Sequence, residues 1–379
     1  MIKIGVLTSS RADFGIYLPL LRKLKSDDFF KLEVIAFGTH LSKNHGYTLN
    51  EIKESNFETI HQIETLPASD SAIDITKGIG ETIIKFSEFW NSNSFDLVIC
   101  LGDRYEMFAA VSAGTPFGVK FAHIHGGETT LGAIDNAYRH SISLFSSILF
   151  VTTDTYKERA KEIVEKSVLV ENVGALSIDN LNKEQLLSKE EFKTKFNIDL
   201  NKPTILSTFH PETVNFNKNK EYISELIQAF EVLKENYQLV ITLPNTDTMG
   251  QLIRDELLSF GKSNPEVHIV ESLGMNGYLS CMKHCSFMLG NTSSGFVEAS
   301  YFPKFVLNIG NRQDGRIITK NILSIPVEKK RILEAVDSIE KRPSLTNEGI
   351  YGIGDAAQNI INSCKKEYAS QYNKHKVNN

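Results

Sequence analysis

A few short stretches of this 379-residue chain concentrate side chains that can move protons or hold anions. The densest is His123-Ile124-His125-Gly126-Gly127-Glu128, followed by Asp135-Asn136-Ala137-Tyr138-Arg139-His140. Imidazole, carboxylate and guanidinium groups fall here within seventeen residues, a set suited to acid/base work and anion binding. His123 and His125 share one side if a strand runs through both. Gly126 and Gly127 would let the backbone approach a ligand. Asp135 and Arg139 are four apart, which puts them on one helix face. A metal at the His-x-His pair needs a third ligand that no motif supplies, so no metal is expected. In Cys100-Leu101-Gly102-Asp103-Arg104, Asp103 follows an apolar run. A carboxylate there can act as a general base or cap a helix.

Other stretches suit a phosphorylated ligand. Ser9-Ser10-Arg11-Ala12-Asp13 leaves a strand for a helix start, where Arg11 could attract phosphate. His210, in Thr208-Phe209-His210-Pro211-Glu212, could hydrogen-bond a phosphate or a sugar. Gly290-Asn291-Thr292-Ser293-Ser294-Gly295 offers backbone N–H groups and hydroxyls as a diphosphate cradle. Glu298 is expected one turn inside the helix that follows, able to accept both ribose hydroxyls. The run 308–316 adds Arg312 and Arg316. Neither GxGxxG nor GxxxxGK[ST] occurs, so dinucleotide and P-loop binding lack their signatures.

The elements that position these residues follow from periodicity. Ile2–Leu7, Leu32–Phe37, Leu97–Leu101, Val119–Ile124 and Ile148–Val151 are predicted as buried strands, with helical patterns between them. The rhythm restarts with Thr204–Phe209, Leu239–Leu243, Val267–Val270, Phe287–Leu289 and Val306–Ile309. Nearly all-apolar strands alternating with helices mean parallel sheets covered on both faces. The predicted fold is α/β, two doubly wound Rossmann-like domains facing a cleft. The first spans 1–178 and carries the acid/base residues. A polar connection covers 179–202, the second domain 203–353, and a terminal helix 354–379 that could return to the first domain.

Composition agrees. At about 150 residues per domain the length gives two to three domains. Lys and Arg total 41 against 46 Asp and Glu, a net charge of −5, which argues against a nucleic-acid partner. Four dispersed cysteines give neither a disulfide framework nor a zinc ribbon. With no signal peptide and no membrane-length apolar run, a cytoplasmic protein is expected.

Read in order, SSRADFG, GDRYE, HIHGGE, DNAYRHS, FHPET, LPNTDTMGQLIR, GNTSSGFVEA and NIGNRQDGR resemble the UDP-N-acetylglucosamine 2-epimerases over roughly 2–361. The likeness is to the hydrolysing branch, which makes N-acetylmannosamine for sialic acid synthesis. The resemblance implies the two-domain fold of the B-type glycosyltransferases and a UDP-sugar substrate. No cofactor is implied; a homo-oligomer, dimer or tetramer, is expected. It implies catalytic roles among Asp103, His125, Glu128, Asp135 and Arg139. Substrate binding would fall to Arg11, His210, Asn245, Asn291, Thr292, Ser293, Ser294, Gly295, Glu298 and Arg312. Many members carry Glu where this chain has His125, so either His125 or Glu128 takes that acid/base role. UDP-N-acetylglucosamine is the default substrate, and a UDP-2,4-diacetamido-trideoxyhexose of the legionaminic acid route is the alternative. A glycosyltransferase on this fold would need an acceptor groove and no compact acid/base set. A nucleotide-sugar sensor would show that set broken.

Overall fold

The computed structural model describes residues 1–43, 47–67, 69–183, 186–214, 216–244, 250–343, 345–346 and 349–377, the side chains of 182, 183 and 370–377 excepted. Two parallel sheets organise them. The first contains β1 (Ile2–Thr8), β2 (Phe30–Phe37), β3 (Ile60–Ile63), β4 (Leu97–Leu101), β5 (Phe121–Ile124), β6 (Ile148–Val151) and β7 (Leu169–Asn172). Its spatial order is β3-β2-β1-β4-β5-β6-β7. The second contains β8 (Thr204–Thr208), β9 (Gln238–Thr242), β10 (His268–Val270), β11 (Phe287–Gly290), β12 (Val306–Ile309) and β13 (Ile322–Ile325), in the order β10-β9-β8-β11-β12-β13. Helices pack on both faces, so each sheet is doubly wound, as the alternating apolar pattern predicts.

Three strands, β3, β7 and β13, escape the sequence reading. Each is an edge strand of four residues, and each carries polar residues, such as His61 and Gln62, Glu171 and Asn172, or Ser324. An edge strand is covered less completely and need not be apolar throughout. The central strands β1, β4, β8 and β11 are buried along almost their whole length.

Strand order reverses between β1 and β4 and between β8 and β11, the switch points where open α/β sheets receive ligands. The loop after β5 meets the loops after β8 and β12 across the two sheets. Leu131 N–H donates to Asp314 O at 2.9 Å, and Ile134 N–H donates to Thr213 Oγ1 at 2.9 Å. Gly290 closes β11 tightly against β8. Its φ is +158°, and a Cβ there would stand 2.0 Å from Thr208 O.

The polar stretch 179–202, read as a connection with a short helix, carries two helical segments. Its first residues belong to the helix Leu176–Lys183, and the helix Lys189–Phe196 follows. Asp179 is fully buried and accepts the N–H groups of Ala356 at 2.9 Å and Ala357 at 2.8 Å. It thereby caps the helix Ala356–Val377. Ala357, Ile360, Ile361 and Cys364 of that helix enter the core beneath the first sheet with Leu20 and Leu24. Asp179→Ala leaves two buried helix N–H groups without acceptors, and we expect it to cost about 2 kcal/mol. Urea unfolding measures this; a change below about 0.5 kcal/mol, the range of an ordinary surface substitution, would contradict the capping role.

Candidate active site

The site grows from the carboxyl ends of β4 and β5. His123, the third residue of β5, is fully buried. Its Nε2 lies 2.7 Å from Gly102 O, and its Nδ1 lies 3.0 Å from Ser143 Oγ. A carbonyl only accepts, so Nε2 carries the proton and Nδ1 accepts from Ser143. Burial pushes the imidazole down to about 3. His123 is therefore a neutral structural group that ties the turn after β4 to the helix Asp135–Phe145.

β5 ends at Ile124, and His125 turns out of it with a left-handed φ of +70°. The two imidazoles do not share a strand face. The neighbouring glycines also differ from expectation. A Cβ on Gly126 would lie 2.4 Å from Leu149 Cδ2, and one on Gly127 would lie 2.4 Å from Tyr156 O. They let the loop press onto β6 and the helix Asp154–Ile163, so packing accounts for them.

This turn delivers Glu128 into the interior, 1% exposed. Its Oε1 accepts from Thr152 Oγ1 at 3.1 Å and lies 3.3 Å from His125 Nδ1. Its Oε2 lies 2.8 Å from an Arg316 nitrogen and 3.5 Å from an Arg139 nitrogen. Burial alone would raise its pKa. The guanidiniums of Arg316 and Arg139, joined by His125 only when its ring is protonated, outweigh burial and bring it down to about 2. Glu128 stays ionised near neutrality. Arg139, itself 3% exposed, also pairs with Asp103 and donates to His125 O at 3.1 Å. The expected Asp135–Arg139 helix face thus turns its guanidinium inward to Asp103 and Glu128. Asp135 opens the helix Asp135–Phe145.

An ionised carboxylate can only accept, so Glu128 Oε1, 3.3 Å from His125 Nδ1, favours the ring proton on that nitrogen. Burial first, then Arg139 and Arg316, lower the imidazole below its usual 6.5, against the pull of Glu128. A neutral ring with its proton on Nδ1 presents a bare lone pair at Nε2. That nitrogen is buried and has no partner among the described residues. It is built like a general base whose orientation a carboxylate fixes.

The hydroxyl-rich stretch lies on the second sheet. Ser293–Gly295 form a single 3₁₀ turn after β11, and Glu298 begins a four-residue helix, Glu298–Tyr301. Glu298 does not sit one turn inside a longer helix as expected. It is 9% exposed, and burial raises its carboxyl to about 7. Thr292 Oγ1 and Ser294 Oγ are 3.1 Å apart, and Tyr278 Oη lies 2.8 Å from Ser294 Oγ. Asn291, expected to bind substrate, clamps His210. Its Oδ1 accepts His210 N–H at 2.7 Å, and its Nδ2 donates to His210 O at 2.8 Å. Asn291 O accepts from Gln313 Nε2 at 2.8 Å and Arg312 at 3.3 Å. Arg11 opens the helix that follows β1 and lies 3.9 Å from Glu51. Asn245 lies outside the described residues.

Arg316, Gln313, Thr152 and Tyr278 join the site without having been singled out. Arg316 was visible only as one of two arginines in the run 308–316, and spacing does not say which one crosses to the first sheet. Tyr278 lies inside the helix Gly274–His284, where an aromatic residue ordinarily signals core. Among the described residues, no three His, Cys, Asp or Glu side chains gather to hold a metal.

The model of the UDP-N-acetylglucosamine 2-epimerase family matches residues 22–365, and the chain belongs to that family. It is 35% identical over 322 residues to a hydrolyzing GDP/UDP-N,N'-diacetylbacillosamine 2-epimerase of Campylobacter jejuni, covering 85% of this chain and 83% of the relative. It is 32% identical over 356 residues to a hydrolyzing UDP-N,N'-diacetylbacillosamine 2-epimerase of Legionella pneumophila, covering 94% and 93%. The crystal structure of the Neisseria meningitidis UDP-GlcNAc 2-epimerase bound to UDP-GlcNAc superposes with a TM-score of 0.79 over 96% of this chain and all of the other, at 18% identity. That likeness bears out the two-sheet architecture of the B-type glycosyltransferases.

Neutralising Glu128 would leave Arg316 without a carboxylate in the interior and Arg139 with Asp103 alone. We expect Glu128→Gln to lower stability at pH 7 by about 3–5 kcal/mol, the usual cost of breaking a buried ion pair. A carboxylate held at about 2, against 4.5 when unfolded, contributes stability above pH 4.5 that is lost as pH falls toward 2. The gap between wild type and variant in denaturant unfolding should close over that window. A gap that persists unchanged in acid would contradict the ion-pair account.

Proposed function

We propose that this member of the family is a hydrolysing 2-epimerase. It would eliminate UDP from UDP-N-acetylglucosamine and hydrate the resulting 2-acetamidoglucal to N-acetylmannosamine. The observation that carries this reading is the buried His125–Glu128 pair, a neutral imidazole with a bare Nε2 fixed by an ionised carboxylate. In this reading residues 1–178 supply the acid/base groups and 203–353 hold UDP.

The reaction needs two proton-handling groups on opposite faces of the sugar, because C2 loses its proton on one face and regains one on the other. As the C2–H electrons form the C1–C2 double bond, the C1–O bond breaks and UDP departs. Water then adds its oxygen to C1, and C2 takes a proton from the opposite side. His125 Nε2 is one of the two groups. The carboxylates of Asp103 and Asp135 are the candidates for the other, with Arg139 holding Asp103. Glu128 orients His125 and does not itself exchange a proton. The 292–295 loop, His210 and Arg312 suit the leaving diphosphate, whose developing charge needs fixed donors. Glu298 suits the ribose hydroxyls.

A second substrate reading has its own support. The two hydrolyzing relatives at 35% and 32% identity are named for diacetylbacillosamine nucleotides. The experiment therefore offers purified protein UDP-N-acetylglucosamine and UDP-N,N'-diacetylbacillosamine separately, with proton NMR of the products. UDP plus a free 2-epimerised sugar from one of them is the expected result. Accumulation of a 2-epimerised UDP-sugar with no free sugar would remove the hydrolysing step.

Two further outcomes follow from the groups assigned. His125→Gln should lower kcat by about 10²–10⁴-fold. Because the base must be neutral, wild-type kcat/KM should fall on the acid side, with its limb below 6.5. Loss of the limb's dependence on residue 125 would exclude the imidazole. Glu298, with its carboxyl near 7, must be ionised to accept two ribose hydroxyls. UDP should bind more weakly as pH falls from 8 to 5.5, by at most about tenfold per pH unit. Calorimetry on Glu298→Gln beside wild type isolates this from ionisation of UDP itself. Parallel pH profiles for the two proteins would take Glu298 out of the ribose site.

A further inference from the structure

One charged side chain of the loop after β12, Arg316, reaches into the first sheet. Arg316 is 7% exposed, and its donors are turned inward. Its Nε donates to Gln313 Oε1 at 2.7 Å, and a terminal nitrogen donates to Glu128 Oε2 at 2.8 Å. Gln313 is in turn fixed by donating to Asn291 O at 2.8 Å. The contacts form one chain: Asn291 beside the hydroxyl-rich loop, Gln313, Arg316, Glu128, His125. The chain begins on the second sheet and ends on the first. Close packing holds the two loops in register along it. A Cβ on Gly132 would lie 2.3 Å from Asn311 O, and one on Gly315 would lie 2.5 Å from Thr129 Cγ2.

Resting on the reading of His125 as an acid/base group, we propose that Arg316 is a positioning residue for it. From the second sheet Arg316 holds Glu128, and through Glu128 it fixes His125 with the proton on Nδ1 and the lone pair on Nε2. The acid/base centre is then complete only when the loop carrying Arg316 is seated on the first sheet.

Three geometric points support this. Glu128 has no other cation as near: Arg139 stands at 3.5 Å and is shared with Asp103. Thr152 and His125 occupy the opposite carboxylate oxygen, so without Arg316 the Oε2 side loses its nearest donor. Arg316 commits its Nε–H to Gln313 and a terminal N–H to Glu128, both within the protein, as a structural clamp would. The charged or titratable groups facing His125 are Glu128, Arg139, Arg316, Asp103 and His123. Removing Arg316 withdraws one positive charge from this set, so the imidazolium becomes easier to form.

The test compares wild type, Arg316→Met and Arg316→Lys. In Arg316→Met we expect kcat to fall about 10²-fold, the cost of a misplaced catalytic group, with KM and the UDP dissociation constant changed less than about threefold. The acid limb of kcat/KM should move to higher pH by at least about half a unit as a positive charge leaves. Arg316→Lys restores the charge and should return the limb toward wild type. A merely structural role would lower stability and leave the limb in place. Loss of UDP affinity beyond about tenfold with kcat intact would make Arg316 a ligand-binding residue and overturn the proposal. So would wild-type kcat in Arg316→Met.

A second readout requires neither turnover nor a folded Met variant. ¹⁵N NMR of the histidine rings, with His125 assigned from the spectrum of His125→Gln, reports the tautomer in the wild-type protein. The Nδ1-protonated neutral ring at pH 7 is expected. An Nε2-protonated ring or an imidazolium would overturn the proposal. If wild type turns over neither UDP-sugar, the epimerase reading fails, while the tautomer in wild type and Arg316→Lys still decides the role of Arg316.

Discussion

A carboxylate sealed from water must be compensated where it lies, and Glu128 imposes that demand on the whole molecule. Its two oxygens collect Thr152 from β6's end, His125 from β5's end, Arg139 from the following helix and Arg316 from the second sheet. An isolated buried charge would instead shift its pKa and neutralise. The two carboxylates Glu128 and Asp103 balance the two guanidiniums of Arg139 and Arg316. A proton on His125 would add an uncompensated positive charge to a dry cluster. The imidazole is kept neutral for that reason, and neutrality is what a base needs.

The same constraint explains why the site joins the two sheets. Parallel sheets leave their ligand-facing loops at the carboxyl ends of strands. Here the loops after β5, β8 and β12 are pressed together at backbone distance, with glycines where a Cβ would collide. The hydroxyl-rich turn after β11 and the imidazole after β5 belong to different sheets. The Asn291–Gln313–Arg316–Glu128 contacts make them parts of one arrangement.

The central strands were legible because burial on both faces requires continuous apolar runs, as in Leu97–Leu101. Edge strands such as Ile60–Ile63 were not, since a half-covered strand tolerates His61 and Gln62. The acid/base residues were legible as a cluster of types but not as roles. Nothing in His-Ile-His announces that His123 is bound to Gly102 O while His125 leaves the strand at a positive φ. Gly126 and Gly127 suggested a ligand's approach and turned out to serve packing. Asn291 sat in a binding motif and spends its amide on the backbone of His210. Arg316 could be read as a cation, but its partner lies 188 residues away in sequence.

The central claim is that His125, neutral and held by Glu128, handles the proton at C2 of a nucleotide sugar. The fate of that hydrogen tests it most directly. Turnover of the protiated substrate in D₂O, followed by NMR of the free sugar, should give product carrying one deuterium at C2 in every molecule. Product that retains the original hydrogen at C2 would contradict the claim, because no base would then have exchanged it with solvent.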